Sequence, residues 1–209
     1  MTYRIKEIFF TQQGEGKNTG KDFIFVRFSG CNLWSGKEKN RASAVCSFCD
    51  TDFYGTDGIN GGKYMAKELI EKIKSLWISA DNQIRVVLTG GEPLLQVDKP
   101  LIDALKNEDI YIAVETNGTL EAPDGIDWIC MSPKANTEIK LKKGSEVKVV
   151  YPQKNLNPDD FNVLDFKNFY IQPMDSQSYE DNVSQAVKYC MRNPNWKLSL
   201  QTHKILGIR

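Results

Sequence analysis

The stretch IRVVLTGGEPLLQVDKPLIDALKNEDIYIAVETN, residues 84–117, decides the fold class because a helical pattern lies between two short apolar runs. The runs IRVVLTG and IYIAVETN are apolar at consecutive positions, which is typical of strands covered on both faces. The segment VDKPLIDALKN between them has the apolar spacing of an amphipathic helix. The stretch therefore predicts a strand–helix–strand unit with parallel strands.

The same alternation extends over the rest of the chain. Further strands are predicted at residues 22–29, 126–133, 146–151, 168–173 and 197–201. Helical patterns occur in YEDNVSQAVKYCMRN and in KYMAKELIEKIKSLWI, whose apolar face comprises Met65, Leu69, Ile70, Ile73 and Trp77. With no internal repeat or long linker, the sequence predicts a single α/β domain over residues 1–209. Its mainly parallel sheet is expected to be open or partly closed into a barrel.

Polar residues and glycines follow several predicted strands at the point where each strand ends. The segments are TGGEP at 89–93, ETNG at 115–118, SPK at 132–134 and QPMD at 172–175. Ligands of parallel α/β folds bind at the carboxyl ends of the strands. These segments therefore predict a ligand site at this edge of the sheet.

The composition gives no sign of a nucleic-acid or membrane partner. The 209 residues include 27 Lys and Arg and 27 Asp and Glu, so the formal net charge is zero. Apolar runs are far shorter than the roughly 20 residues that span a bilayer, and the opening MTYRIKEIFF lacks the features of a secretion signal. Five cysteines, an odd number, indicate reduced thiols. A cytoplasmic protein is therefore expected.

Three cysteines lie in the polar, irregular segment CNLWSGKEKNRASAVCSFCD. Fourteen residues separate Cys31 from Cys46, and two separate Cys46 from Cys49. A zinc site is one interpretation of the C-x-x-C pair, but structural zinc usually has four ligands. Cys130 and Cys190 fall in a predicted strand and a predicted helix, where buried thiols are the simpler interpretation. A [4Fe–4S] cluster fits three thiolates better than a zinc ion does, because its fourth iron can stay open to a small molecule.

Several motifs occur together and in order around these cysteines. They are FFTQQGEGKNTGKDFIFVRFSGCNLW, CDTDF, VVLTGGEPLLQ, VETNGT, MSPK, IQPMD and LSLQTHK. Together they resemble the radical S-adenosylmethionine superfamily. The C-x(14)-C-x(2)-C spacing departs from the usual C-x(3)-C-x(2)-C and resembles one branch of the 7-carboxy-7-deazaguanine synthase family. The resemblance covers nearly the full length and implies a partial, modified TIM-like (β/α) barrel with a cluster-binding loop insert near residues 31–49.

The resemblance also implies a reaction. Members of this family convert 6-carboxy-5,6,7,8-tetrahydropterin to 7-carboxy-7-deazaguanine with loss of ammonia, in queuosine and 7-deazapurine biosynthesis. The implied cofactors are a [4Fe–4S] cluster, S-adenosylmethionine and Mg²⁺. The implied partners are an electron donor such as flavodoxin and a second subunit in a homodimer. Because the cofactors carry the difficult chemistry, no catalytic acid–base pair is predicted.

Cofactor residues are carried over from the same resemblance. Cys31, Cys46 and Cys49 would hold the cluster, and Thr51 would bind Mg²⁺, although a turn cap is a simpler role for a threonine. Residues expected to bind S-adenosylmethionine are Phe48, Asp50, Gly91, Glu115, Asn117, Ser132, Lys134 and Gln172. The glycines of TGGEP would let the backbone approach the methionine amino group, and a nearby acid would favour its positive charge.

A second set of residues is expected to bind the pterin. It comprises Gln12, Gln13, Gly14, Glu15, Arg27, Thr89, His203 and the terminal carboxylate of Arg209. Glu15 would accept hydrogen bonds from a guanidine-like edge, and Arg27 would hold the substrate carboxylate with two parallel hydrogen bonds. Simpler roles are a glycine turn for QQGEG, a surface charge for Arg27, a strand threonine for Thr89 and a surface or capping role for His203.

Two segments are expected to close the site. The loop NLWSGKEKNRASAV is expected to be a structured cover over the cluster, anchored by Trp34 and Val45, and a solvated polar loop is the alternative. The tail is expected to fold over the mouth of the site through the apolar burial of Ile205, Leu206 and Ile208.

Two other functions stay open at this point. One is a radical S-adenosylmethionine activase that makes a glycyl radical on a partner enzyme. Such a protein should lack QQGEG and the long cysteine loop, and this chain has both. The other is a zinc-dependent structural or nucleic-acid-binding module, which should have a fourth ligand and a basic patch.

Overall fold

The structure is a computed structural model that describes residues 2–209. One nine-stranded sheet runs through it in the order β3-β1-β2-β4-β5-β6-β7-β8-β9. The strands are β1 (Tyr3–Gln12), β2 (Asp22–Phe28), β3 (Gly62–Tyr64), β4 (Arg85–Gly90), β5 (Tyr111–Thr116), β6 (Trp128–Met131), β7 (Lys143–Tyr151), β8 (Asp165–Pro173) and β9 (Trp196–Leu198). The helices are α1 (Ala66–Leu76), α2 (Lys99–Lys106), α3 (Tyr179–Arg192) and α4 (Thr202–Leu206).

The sheet is mixed but mostly parallel. β1 is antiparallel to both β2 and β3, and every neighbouring pair from β2–β4 to β8–β9 is parallel. The order begins with β3 and ends with β9, so the sheet is open and forms part of a barrel. The predicted α/β fold with mainly parallel strands is therefore confirmed.

The sequence analysis missed strand β1, because it placed the first strand of the fold at residues 22–29. A bulge shifts the β1–β2 register between Ile5 and Glu7. The bulge lets Tyr3, Ile5 and Ile8 all pack into the same core, which breaks the alternation that identifies a strand. The segment QQGEG therefore follows a strand rather than opening the fold.

The predicted helices form with small changes at their ends. Asp98 caps α2 by accepting a hydrogen bond from the Leu101 N–H (3.0 Å). At the start of α1, the Glu68 carboxylate accepts from the Met65 N–H (2.8 Å), so Met65 precedes the helix and is exposed rather than on its buried face. None of the helices found in residues 2–209 combines the length and apolar character needed to cross a membrane.

Strands β5, β7, β8 and β9 pack against helices on one face of the sheet, and the other face lines the interior of the partial barrel. Phe23, Val87 and Ala113 form a small apolar cluster on the interior face. Two residues further along β4 and β5, Thr89 and Glu115 line a cavity on the same face. Because side chains alternate along a strand, the apolar cluster lies on the same face below the cavity, and polar residues line the cavity itself.

Candidate active site

A cavity of about 450 Å³ opens at the carboxyl ends of the parallel strands. Every residue that the sequence marks as a cluster, S-adenosylmethionine, Mg²⁺ or pterin residue contributes to its lining. This is the position that parallel α/β topology favours for ligands. The structure brings the predicted residues together, and the role of each one stays a prediction.

The three predicted cluster cysteines face this cavity from two loops. Cys31 follows β2, while Cys46 and Cys49 follow a short 3-10 helix, Glu38–Ser43. The Leu33 N–H donates to the Cys31 sulfur (3.4 Å). A hydrogen bond from the Cys46 thiol lowers the pKa of Cys49, although burial opposes that change. The same hydrogen bond raises the pKa of Cys46, and burial raises that of Cys31. Cys49 is therefore the thiol of the three that ionises most easily, and a thiolate is the form that binds iron.

The donor set fits a cluster better than one zinc ion. Within residues 2–209, no three His, Cys, Asp or Glu side chains are placed to hold a single metal ion. A [4Fe–4S] cluster does not need that arrangement, because each thiolate binds a different iron. Cys130 is buried as predicted, whereas Cys190 is half-buried rather than buried. Neither of them lines the main cavity.

The long loop between the cysteines is folded onto the site by Arg41. The Arg41 guanidinium lies 4.1 Å from the centre of the Trp34 ring and donates from Nη1 to the carbonyl oxygens of Ser47 and Cys49 (both 2.9 Å). Trp34 is buried against Phe53, as expected of an anchor. The prediction for Val45 is wrong, because its side chain is 50% exposed. An arginine that binds carbonyls leaves no signal in the cysteine spacing, so sequence reasoning missed Arg41.

The glycines of TGGEP allow close backbone approach. A Cβ atom on Gly91 would lie 2.2 Å from the Gly30 carbonyl oxygen and 2.7 Å from the Cys31 Cβ. At the next position, Glu92 is fully buried and accepts hydrogen bonds from Leu94 N, Thr116 Oγ1 and Asn117 N (3.0, 2.8 and 2.7 Å). The acid of this motif is therefore a clamp between β4 and β5. Its carboxylate is not part of the cavity lining, and the expected effect of this acid on the methionine ammonium stays a prediction.

The strand-end residues predicted to bind S-adenosylmethionine fall into two groups. Asn117, Ser132 and Lys134 lie on the cysteine side, where the Lys134 Nζ donates to the Ser132 carbonyl (2.6 Å) and hydroxyl (2.8 Å). Burial lowers the pKa of Lys134, and the nearby thiols oppose that effect. Glu115 and Gln172 instead contact pterin-set residues: Gln13 donates to Glu115 (2.9 Å), and Gln172 donates to Glu15 (3.1 Å).

Arg27 points into the cavity and is not a lone surface charge. Its Nε donates to Glu7 Oε1 (2.9 Å), and both side chains are less than one-fifth exposed. The other oxygen of Glu7 accepts from Arg209 Nη1 (3.0 Å). Glu7 thus fixes the Arg27 guanidinium and joins it to the tail. The carboxylate lies in the bulged strand that the sequence pattern did not show.

Glu15 is the centre of a polar cluster on the floor of the cavity. Its Oε1 accepts hydrogen bonds from Gln172 (3.1 Å) and Gln201 (2.9 Å), and its Oε2 pairs with Lys148. Burial would raise the pKa of Glu15, but the charge and hydrogen bond of Lys148 and the hydrogen bond from Gln201 lower it overall. Lys148 lines the cavity and was not among the sequence-predicted residues.

The predicted Mg²⁺ residue, Thr51, lies beside Asp50 at the rim. Its hydroxyl is 3.5 Å from an oxygen of Asp50. The second oxygen of Asp50 pairs with Lys204 (2.5 Å), and Lys204 also pairs with Asp175 (2.6 Å). Hydroxyl and carboxylate oxygens are suitable Mg²⁺ ligands, so these side chains fit the ion.

The tail folds over the mouth of the cavity, but polar contacts hold it there. Thr202 N donates to the Gly14 carbonyl (3.0 Å), and the Thr11 hydroxyl donates to the backbone oxygen of Arg209 (2.5 Å). A Cβ atom on Gly14 would lie 2.1 Å from His203 Nδ1, so this glycine makes room for the histidine. The expected apolar burial is wrong for three residues, which are all exposed: Ile205, Leu206 and Ile208.

Comparison with known proteins finds similar sequences over the full length. The chain is 55% identical to a 7-carboxy-7-deazaguanine synthase of Bradyrhizobium diazoefficiens and 54% identical to one of Burkholderia multivorans, with 100% of each chain covered in both cases. The crystal structure of QueE from Escherichia coli is similar with a TM-score of 0.68 at 25% identity, covering 96% of this chain and 94% of that chain. No protein-family model matches.

Proposed function

The chain belongs to the 7-carboxy-7-deazaguanine synthase family, and from that premise we propose that it converts 6-carboxy-5,6,7,8-tetrahydropterin to 7-carboxy-7-deazaguanine with loss of ammonia. It is a radical S-adenosylmethionine lyase of queuosine and 7-deazapurine biosynthesis. The observation that carries the proposal is one cavity that is lined by three free cysteines and by the polar cluster around Glu15. Family membership also separates the chain from the activase and from the zinc module.

The cysteine side of the cavity is proposed to hold the cofactors. Cys31, Cys46 and Cys49 would bind the [4Fe–4S] cluster, which together with S-adenosylmethionine supplies a 5′-deoxyadenosyl radical. Ser132 and Lys134 would orient the S-adenosylmethionine ribose and carboxylate, with the lysine acting as a positive charge. Gly91, which makes room for the Gly30 carbonyl beside Cys31, would line the S-adenosylmethionine side of the cavity, and Phe48 would offer an aromatic surface to the adenine.

The opposite side of the cavity is proposed to bind the pterin. With its Nε held by Glu7, Arg27 directs its remaining N–H groups toward the substrate carboxylate. Glu15 would accept from the amino edge of the pterin, and His203 and the terminal carboxylate of Arg209 would contact the ring from above. Gln12, Gln13, Gly14 and Thr89 complete this lining.

Metal binding is proposed at the rim between these two groups. Thr51 would bind Mg²⁺ through its hydroxyl, with Asp50 close enough to contribute negative charge. The ion would neutralise the substrate carboxylate together with Arg27. In this arrangement the chain orients the substrate and excludes water, while the cofactors carry the bond-breaking chemistry.

The partners are proposed on less direct grounds. Lys37 and Lys39 are exposed in the loop that precedes Cys46, which favours an acidic electron donor such as flavodoxin. A homodimer in the cytoplasm is proposed from the family resemblance and the reduced cysteines.

A turnover assay tests the proposed function. Reconstituted protein is reduced under anaerobic conditions and incubated with S-adenosylmethionine, Mg²⁺ and the tetrahydropterin, and the product is identified by its mass. We expect 7-carboxy-7-deazaguanine from the wild type and none from Cys31→Ala, with Cys190→Ala as the matched control that retains activity. A brown, cluster-loaded wild type that leaves the tetrahydropterin unchanged would contradict the proposal.

A further inference from the structure

Lys148 is a buried cation beneath the pterin side of the cavity. It lies in the middle of β7, and only 3% of the residue is exposed. Its strand neighbours Val147 and Val149 are fully buried in the apolar core on the other face of the sheet. A lysine in such a position is costly unless its ammonium is paired.

Three carboxylates surround the Lys148 ammonium. Glu15 pairs with it directly, Glu115 lies 3.6 Å away on β5, and Glu146 lies two residues earlier on the same strand. Burial lowers the pKa of Lys148, but the surrounding acids and the Cys130 thiol outweigh burial and raise it well above its usual value. The lysine therefore stays charged throughout the working pH range.

The two carboxylates nearest to Lys148 are oriented by amides as well. Glu15 accepts hydrogen bonds from the side-chain amides of Gln172 on β8 and of Gln201, the residue before α4. Glu115 accepts a hydrogen bond from the side-chain amide of Gln13, which lies in the loop after β1. These donors hold both carboxylates in place before any ligand binds. Within residues 2–209, Lys148 is the cation that forms an ion pair with each of them, and His203 acts on Glu15 without an ion pair.

We propose that Lys148 is a positioning residue that keeps Glu15 ionised and aimed into the cavity, which restricts the floor to ligands whose edge presents N–H donors. The inference rests on the proposed function, because the ligand edge is the 2-amino-pyrimidinone side of the tetrahydropterin. An ionised carboxylate accepts hydrogen bonds only. A protonated Glu15 would present a competing donor and would lose the charge-assisted bond.

Removal of the ammonium would leave two partly buried carboxylates near each other without their shared cation, and such a pair raises the pKa of one member. Other titratable groups also face the pair: Cys130 from β6, Glu146 from β7 and His203 from α4. As pH falls, the added proton would weaken pterin binding. As pH rises, both carboxylates would ionise and binding would recover.

The test compares Lys148→Met with wild-type holoenzyme, using anaerobic calorimetric titration with the tetrahydropterin and steady-state kinetics. We expect Kd and KM for the tetrahydropterin to rise about tenfold or more, with the loss increasing from about pH 8 to about pH 6. Affinity for S-adenosylmethionine and iron content should stay unchanged. Lys143→Met, at the exposed start of the same strand, is the matched control and should behave as wild type.

A double variant shows whether Lys148 acts through Glu15. If it does, Lys148→Met combined with Glu15→Gln should bind the tetrahydropterin no worse than Glu15→Gln alone. Additive losses would overturn the inference, as would unchanged binding in Lys148→Met. If Lys148→Met does not fold, Lys148→Arg keeps the charge, and it should retain the wild-type pH profile.

The titration separates this inference from the proposed function. Wild-type protein that binds the tetrahydropterin but forms no deazaguanine would contradict the proposed function while leaving the role of Lys148 measurable. Normal turnover by the wild type together with an unaffected Lys148→Met would contradict the inference alone.

Discussion

At the scale of single residues, the cavity contains charges that are paired before a ligand binds. Glu7 holds Arg27, Lys148 holds Glu15, and Lys204 holds Asp50. Pairing reduces the cost of burying each charge and fixes its direction. A ligand then meets groups that need little reorganisation, which lowers the cost of binding.

Arg27→Ala should weaken binding of the tetrahydropterin far more than binding of S-adenosylmethionine. Truncation of a buried partner of a carboxylate costs about 2–5 kcal/mol of binding free energy. Arg85→Ala is the matched control. Arg85 is also ion-paired, but it lies at the amino end of β4 and does not line the cavity. Titration of both ligands measures the effect, and equal losses for the two ligands would indicate a folding role for Arg27.

Sequence reasoning finds residues whose motif has a chemical meaning and misses those that act through another side chain. Glu15 and Arg27 were predicted, while Glu7 and Lys148 were not. The signal for Lys148 was present in EVKVVY, where charged residues alternate with valines in a strand expected to be covered on both faces. Such an alternation indicates a polar interior. Glu7 gave no comparable signal, because the bulge disrupts its strand pattern.

At the scale of elements, the long cysteine loop depends on one side chain. Arg41→Ala should leave the fold intact and make the cluster labile, because it removes two hydrogen bonds from a charged donor and the contact with Trp34. Hydrogen bonds of this kind contribute about 1.5–3 kcal/mol each. Iron release to a chelator provides the measurement, with Lys39→Ala on the same short helix as the control. Identical release rates for both variants would show that Arg41 does not hold the loop.

The tail offers a second prediction at this scale. Because Ile205 and Leu206 are exposed, changing both to serine should alter the free energy of unfolding by no more than about 0.5 kcal/mol per site.

Lys204→Met, which removes two ion pairs, should raise KM for the tetrahydropterin, and an extension past Arg209 should do the same. Normal cluster content in all variants is the control. A larger KM increase from the serine pair than from Lys204→Met would contradict this prediction, because it would show that apolar contacts of Ile205 and Leu206 hold the tail over the cavity.

Element prediction succeeded where the apolar pattern was regular. Strands β4, β5 and β8 and helices α1 to α3 occur close to their expected positions. The three-residue strand β3 and the five-residue helix α4 were missed, because neither is long enough to show a period. Their positions are set by pairing with β1 and by hydrogen bonds to the loop after β1, which are contacts distant in sequence.

At the scale of the whole molecule, topology decides where the chemistry lies. The parallel strands from β2 to β9 all point the same way, so segments that are far apart in sequence meet at one edge. This consequence could be predicted from strand–helix alternation alone. The pairing of charges inside the cavity could not, because it depends on which interior side chains face each other across the open sheet.

The spectrum of the reduced protein tests the central claim, that three cysteines hold a cluster with one iron open to S-adenosylmethionine. Electron paramagnetic resonance is recorded before and after S-adenosylmethionine is added to wild type, Cys31→Ala and Cys130→Ala. We predict a [4Fe–4S] signal that changes on addition in wild type and Cys130→Ala and is lost in Cys31→Ala. A signal that ignores S-adenosylmethionine, or one that survives in Cys31→Ala and disappears in Cys130→Ala, would contradict the account.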